Sequence, residues 1–254
     1  MKVRIAHTDQ RREVELHRRY KLASLRSGSI CAAPLLVLAA SFLPAGAEQA
    51  GPPLTVSPVT TSPASLSNPA AREVAAFASA WASVTGYSAR VTIFDQKGAQ
   101  SQNLVFDYTF RKPSDVTVDV LAGPNAGVTL TWNGGATVVA RRGGGLAGLF
   151  KRTLSLHDPL VTTLRGSSID QLSFGAILLH GQRTGALSAA PGDVIDGAAV
   201  NSVMLTPAAT VDDAGLTREI VELSTVTHLP VRVLGYEGSL LVRRIDFSSL
   251  KLQT

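Results

Sequence analysis

Histidine is the side chain in this sequence best suited to acid–base or metal chemistry, and beyond residue 47 it occurs three times. The three positions are His157, His180 and His228. A zinc protease motif needs two histidines one helical turn apart, and a serine hydrolase needs a Gly-x-Ser-x-Gly turn, but neither pattern occurs. Each histidine is therefore assigned a structural role, with a chemical role as the alternative.

Paired aspartates could bind a cation, and two such pairs lie in predicted loops. The pairs are Asp193 with Asp196 and Asp212 with Asp213. A calcium loop also needs a glycine and a terminal glutamate at fixed spacing, which both pairs lack. The sequence therefore predicts a protein that is not an enzyme and has no catalytic residue, no metal and no cofactor.

A glycine-rich segment at 141–153 formally satisfies the dinucleotide-binding pattern Gly-x-Gly-x-x-Gly through Gly143, Gly145 and Gly148. That pattern binds phosphate where it joins a parallel strand to a long helix, whereas the strand before it here is half of a predicted hairpin. The segment carries three apolar residues between the basic pairs at 141–142 and 151–152: Leu146, Leu149 and Phe150. We interpret it as an apolar flap with basic flanks; an ordinary exposed loop is the alternative.

Residues 1–47 have the composition of a secretory signal peptide. Eight basic residues precede an uncharged run at 30–43, and Ala45-Gly46-Ala47 supplies the small residues of a cleavage site. The run of 14 residues is shorter than the roughly 18 that cross a bilayer, so we expect cleavage near Ala47 and not a retained anchor. Arg18-Arg19 loosely resembles a twin-arginine signal, but we favour the general secretory (Sec) route.

The lone cysteine, Cys31, precedes the apolar run and follows Ile30, which does not fit a lipoprotein signal. Cleavage would therefore leave a chain without cysteine. It would also remove eight of the 24 basic and three of the 19 acidic residues, which leaves sixteen of each. A net charge of zero removes the argument that the whole-chain charge of +5 would make for a nucleic-acid partner.

Two segments precede the predicted sheet. Residues 48–69 are rich in Pro, Ser, Thr and Ala, which is typical of a disordered linker. Residues 72–84 follow with Val74, Phe77 and Trp81 at helical spacing, which predicts an amphipathic helix. We expect this helix to begin a single domain at 70–254.

From Tyr87 onward the apolar periodicity changes from 3.6 to 2, which predicts half-buried strands. Tight turns are expected at Lys97-Gly98, Asn133-Gly134 and Glu237-Gly238. Strands joined in this way form an antiparallel meander with one apolar face. The predicted strands are 87–93, 104–111, 116–120, 128–132, 137–140, 199–205, 216–226, 230–236 and 240–251.

The middle of the chain interrupts this meander. Residues 158–164 and 169–179 predict two short helices, the second with Ser168 as N-cap and Gly181 as its stop. Residues 189–193 predict a loop. Helices inserted in a meander need an apolar surface, which the concave side of the sheet supplies.

Six short segments, taken in order, resemble the LolA-like lipoprotein-sorting proteins of the bacterial periplasm. They are Tyr87-Ser-Ala-Arg-Val-Thr, Phe106-Asp-Tyr-Thr-Phe-Arg-Lys-Pro113, Val118-Asp-Val, Leu130-Thr-Trp-Asn-Gly-Gly135, Leu229-Pro-Val-Arg-Val233 and Leu241-Val-Arg-Arg-Ile-Asp-Phe-Ser248. The resemblance covers about residues 72–250. It implies an α+β fold: a curved antiparallel sheet forming a half β-barrel, with an N-terminal helix and short helices that plug the concave face. In this family the concave face shelters the acyl chains of lipoproteins.

The ligand-binding residues are predicted from strand parity, which places eight apolar side chains on one face. They are Val91, Ile93, Phe106, Tyr108, Phe110, Val118, Leu130 and Trp132, with Leu146, Leu149 and Phe150 as the flap. The resemblance implies a basic latch before the strand-ending proline, which falls on Lys112. The family's usual arginine is displaced to Arg111.

These predictions describe a monomeric periplasmic protein that binds the acyl chains of lipoproteins or lipids. An envelope membrane protein is a further expected partner, and a nucleic acid is not expected. The alternative function is a regulatory or interaction protein whose sheet binds a segment of a membrane protein.

Overall fold

The structure is a computed structural model that describes residues 68–143, 151–183, 186–190, 192–209, 212 and 214–254. The predicted signal peptide, nearly all of the predicted linker and the three flap residues Leu146, Leu149 and Phe150 lie outside the described residues.

A single sheet of twelve antiparallel strands dominates the described residues. In chain order the strands are β1 (Gly86–Lys97), β2 (Gln100–Arg111), β3 (Asp115–Ala122), β4 (Val128–Asn133), β5 (Thr137–Arg142), β6 (Lys151–Ser155), β7 (Ala186–Ala190), β8 (Val194–Ile195), β9 (Ala198–Thr206), β10 (Arg218–Ser224), β11 (Pro230–Glu237) and β12 (Leu240–Gln253).

The strand order is β6-β5-β4-β3-β2-β1-β12-β11-β10-β9-β7, with β8 paired to β9 alone. Two meanders therefore meet at the centre, where β1 pairs with β12. The sheet is curved and does not close, because β6 and β7 lie at opposite edges. Together with the helices this confirms the predicted α+β half-barrel.

Alternation of apolar and polar residues explains which face of the sheet is buried. In β1 the side chains of Tyr87, Ala89, Val91 and Ile93 are buried, and the residues between them are more exposed. The same alternation in β2, β3 and β12 gives one continuous core on the concave face.

Helix α1 (Pro69–Ser83) packs against this core. The Asn68 side chain caps it by accepting a hydrogen bond of 3.0 Å from the Ala70 N–H, and Pro69 occupies the first helical position. Phe77 is buried, as its position on the apolar face predicts.

The segment at 156–183 crosses the concave face, because it must connect the two opposite edges of the sheet. It contains a 3₁₀ helix (Ile169–Leu172) and helix α2 (Phe174–Arg183). Its side chains Ile169, Leu172 and Phe174 belong to the same core as the strands. We call residues 156–183 the crossing segment.

Four local predictions were wrong. Residues 158–164 form turns and not a helix, and the predicted helix 169–179 is broken at Ser173. Helix α2 continues to Arg183, so Gly181 does not stop it. Residues 189–190 belong to strand β7 and not to a loop.

The predicted hairpin turns are close to those observed. Two residues join β1 to β2 and β11 to β12, with Gly98 and Gly238 at positive φ. Three residues, 134–136, join β4 to β5, one more than a type I′ turn would use.

Candidate ligand-binding site

The eight predicted lining residues do share one face, the buried concave one. Seven of them are at most 7% exposed, and Trp132 is partly buried against the same core. The free space beside them is small, about 50 Å³, because the crossing segment fills it. Leu160, Val161, Ile169 and Leu172 contribute to that filling.

Two strand tyrosines hold the crossing segment in place. The Tyr108 hydroxyl donates to the carbonyl of Ile169 at 3.1 Å, and the Tyr87 hydroxyl donates to the carbonyl of Leu172 at 3.5 Å. Tyr87 also accepts from the N–H of Phe174 at 3.3 Å and stacks on that ring with 4.2 Å between centroids. Burial raises the pKa of both tyrosines well above the ordinary value.

A much larger cavity, of about 630 Å³, lies between the crossing segment and the C-terminal half of the sheet. Its walls come from three stretches of chain that are distant in sequence. They are 165–183 of the crossing segment, 207–219 before and in β10, and 233–245 in β11 and β12. Ser167 and Leu172 line this cavity and also the smaller space, so the 3₁₀ helix stands between the two.

The cavity wall grades from apolar to charged. Leu172, Ile177, Val233 and Ile245 are each at most 9% exposed. Towards solvent, the exposed end of α2 contributes Leu179, His180 and Arg183.

A buried ion pair between Asp95 and Arg243, and a second pair between Arg165 and the more exposed Glu237, fix the floor of the cavity. Asp95 is fully buried and accepts from Arg243 at 2.9 Å and from the Arg165 N–H at 3.3 Å. The Arg165 guanidinium donates to the carbonyl of Gln96 at 2.6 Å and to Glu237 at 2.8 Å. Arg165 therefore attaches the crossing segment to β1 and β11.

Glu219 is a largely buried carboxyl in the cavity wall. Its side chain is 13% exposed and lies 3.7 Å from His180 of α2. Burial raises the pKa of Glu219 and so does Asp212, whereas His180 and Arg243 lower it; burial is the larger effect.

Sequence reasoning missed these polar residues, although strand parity contained a signal for three of them. Asp95 is in step with Val91 and Ile93, and Arg243 is in step with Ile245. Glu219 likewise lies opposite Leu205, a core residue of β9. Charged residues at core positions of a strand are rarely unpaired, so their parity could have predicted a buried polar cluster.

The predicted latch residues occupy different environments. Lys112 donates to the carbonyl of Trp81 at 2.7 Å, and its Nζ lies 4.4 Å from the centre of the Trp81 ring. It thereby contacts the last turn of α1, where main-chain carbonyls lack helical partners. Arg111 is exposed and makes no such contact with a described residue.

Among the described residues there is no cluster of three metal-ligating side chains. Within that same part of the chain, no helix combines the length and the apolar character needed to cross a membrane.

No family model matches the chain, and no curated protein matches it. Solved structures give weak similarities that concern the fold. A DUF1329 family protein from Desulfovibrio piger shares 11% identity at a TM-score of 0.41, over 74% of this chain and 94% of that one. The Mycobacterium tuberculosis lipoprotein LppX shares 18% identity at a TM-score of 0.40, over 76% of this chain and 95% of that one. The LolA superfamily protein NE2245 from Nitrosomonas europaea shares 11% identity at a TM-score of 0.34, over 73% of this chain and 94% of that one.

Proposed function

We propose that the chain is an exported, non-catalytic binding protein that shelters an acyl chain or a similar apolar ligand on the concave face of its sheet. The observation that carries this proposal is the cavity of about 630 Å³ beneath the crossing segment. Ligand sites in proteins typically enclose about 300–1,000 Å³.

The gradient along the cavity wall suits an amphiphile. The buried apolar residues Leu172, Ile177, Val233 and Ile245 would hold the hydrocarbon, and the exposed charged end of α2 would lie near the headgroup. A chain of about 16 carbons offers on the order of 10 kcal/mol of transfer free energy, reduced by the cost of ordering it. This supports micromolar or tighter binding without covalent chemistry.

The predicted lining residues would form the second part of the site. They lie beyond the 3₁₀ helix, where the crossing segment now fills the space. Displacing Ile169 and Leu172 would join the two spaces, and an acyl chain could then extend towards Phe106 and Leu130. In this proposal the predicted flap residues Leu146, Leu149 and Phe150 and the Lys112 contact with α1 govern entry.

We place the protein in the periplasm as a monomer, exported by the general secretory (Sec) route and cleaved near Ala47. Residues 48–69 would form a disordered linker before the domain at 70–254. Lipoproteins or lipids would supply the acyl chain, and an envelope membrane protein would be a second partner.

The test is binding of a fluorescent fatty-acid analogue to the processed protein. Leu179 lines the cavity at the exposed end of α2 and is 43% exposed, so Leu179→Asp should fold normally. It should weaken binding at least about tenfold, since it places an anion next to the position proposed for the carboxylate headgroup of the analogue. Leu252→Asp is the matched control, because Leu252 is 40% exposed and lies outside the cavity.

Equal binding by the two variants would contradict the assignment of the cavity. Phe106→Asp and Trp132→Asp test the predicted lining in the same assay, and normal binding by both would remove that part of the site. Native mass spectrometry of the protein from the cell envelope gives the identity of the cargo. A protein that carries no lipid and also does not bind the analogue would overturn the carrier function in favour of protein interaction.

A further inference from the structure

The three strands at one edge of the sheet carry four cations and no carboxylate. Arg141 and Arg142 end β5, Lys151 and Arg152 begin β6, and β4 is uncharged. All four side chains are exposed, and residues 134–157 contain no acidic residue. This edge therefore has a net charge of +4, whereas the rest of the domain at 70–254 carries 12 basic and 15 acidic residues, a net charge of −3.

The arrangement of these cations costs stability. Arg141 and Lys151 are directly opposite each other in the antiparallel pair, where like charges repel. None of the four forms an ion pair with a described residue. By contrast, Arg90 and Arg232 on other strands each pair with a carboxylate.

Protection of a sheet edge against aggregation explains only part of the cluster. Charged residues on an edge strand discourage pairing with other chains, which accounts for Lys151 and Arg152 on β6. Arg141 and Arg142 belong to β5, which is paired on both sides. Their charges need a different explanation.

The cations project from both faces of the edge. Arg152 lies opposite Ala140, which lies opposite the buried Leu130, so Arg152 is on the concave side. Arg141 and Lys151 are on the convex side, because side chains alternate along a strand. A flat surface that meets this end of the hairpin could therefore contact cations of both faces.

We propose that this basic hairpin end, formed by Arg141, Arg142, Lys151 and Arg152, docks the protein on an anionic phospholipid surface. The choice of a membrane over a nucleic acid rests on the proposed function, since acyl chains are taken from bilayers and returned to them. Each basic residue near an anionic bilayer adds to the attraction, which decays within a Debye length.

The test is sedimentation of the processed protein with vesicles of phosphatidylglycerol and phosphatidylcholine, compared with vesicles of phosphatidylcholine alone. The triple variant Arg141→Gln, Lys151→Gln, Arg152→Gln should lower partitioning to the anionic vesicles at least about tenfold. The control variant Arg72→Gln, Lys97→Gln, Lys251→Gln removes the same charge from exposed positions elsewhere and should change partitioning by less than about twofold.

Equal losses in the two triple variants would overturn the proposal, because net charge alone would then explain binding. Binding that is equal on both kinds of vesicle, or that occurs on single-stranded nucleic acid and not on vesicles, would also overturn it. The fatty-acid analogue assay on the same proteins separates the two proposals. If the protein binds anionic vesicles but does not bind the analogue, the carrier function alone is overturned.

Discussion

The hydroxyl of Tyr108 donates a hydrogen bond to the main-chain carbonyl of Ile169, at 3.1 Å and inside the core. Tyr108 lies on β2 and Ile169 on the crossing segment, so this bond attaches the crossing segment to the sheet. Tyr108, which is predicted to line a ligand site, would thus also keep that part of the proposed site closed.

Tyr108→Phe should loosen the crossing segment without leaving a large cavity. The carbonyl of Ile169 would lose its partner, which should destabilise the domain by about 1–2 kcal/mol. We also expect faster uptake of a fatty-acid analogue in stopped-flow measurements. Tyr236→Phe is the control, because the Tyr236 ring faces Arg218 and its hydroxyl has no described partner. Slower or unchanged uptake in Tyr108→Phe would contradict the gating role.

Lys112→Gln should free the end of α1. The variant loses the bond to the Trp81 carbonyl and the contact with its ring, so hydrogen exchange of the last turn of α1 should accelerate. Arg111→Gln, one residue earlier, should leave that exchange unchanged. If both variants behave alike, Lys112 does not hold the helix.

Glu219→Gln should stabilise the protein at neutral pH. The pKa of Glu219 is higher in the folded state than in the unfolded state. The protonated carboxyl therefore contributes its full stability below the unfolded-state pKa. This contribution to the free energy of unfolding is lost as the pH rises through the folded-state pKa. Glutamine has no charge to desolvate, so its advantage should be present at pH 7 and disappear near pH 4. Thermal unfolding of both proteins at the two pH values checks this. A less stable variant at pH 7 would show that the pairing with His180 outweighs burial.

Arg243→Met should be strongly destabilising, by about 3–5 kcal/mol, because it leaves Asp95 buried without its charged partner. The double variant Asp95→Asn with Arg243→Met should recover most of that loss, since asparagine keeps an acceptor for the Arg165 N–H. Denaturant unfolding of the two variants tests the coupling. Additive losses in the double variant would contradict it.

Most strands could be predicted because each alternates over several residues and ends at a glycine or proline turn. Strands β6, β7 and β8 were not predicted. Strand β7 was missed because Ala-Leu-Ser-Ala-Ala has weak strand propensity, and pairing with β9 supplies its order. Such pairing depends on a partner that is distant in sequence.

The crossing segment was only partly predictable, for local reasons that spacing does not show. Ser173 breaks the predicted helix, since its hydroxyl donates to the Asp170 carbonyl and accepts from the Ala176 N–H, both at 3.1 Å. The Asp158 side chain likewise accepts a hydrogen bond from the Leu160 N–H. This bond favours a turn at 158–160 in place of a helix that begins at Pro159.

The concave lining followed from parity, but the large cavity did not. Its walls include Arg165, Ala208 and Val233, which are distant in sequence. They line one cavity only because of the path that the crossing segment takes over the sheet. No periodicity within one strand contains this information.

The central pairing of β1 with β12 also constrains how the chain reaches this state. Asp95 and Arg243, which join the two strands, are separated by 148 residues. Contacts of such long range slow folding, because a large loop must close before they form. A chain that emerges N-terminus first would therefore present β1 long before its partner, and its two meanders would become one domain only after residues 240–253 had followed.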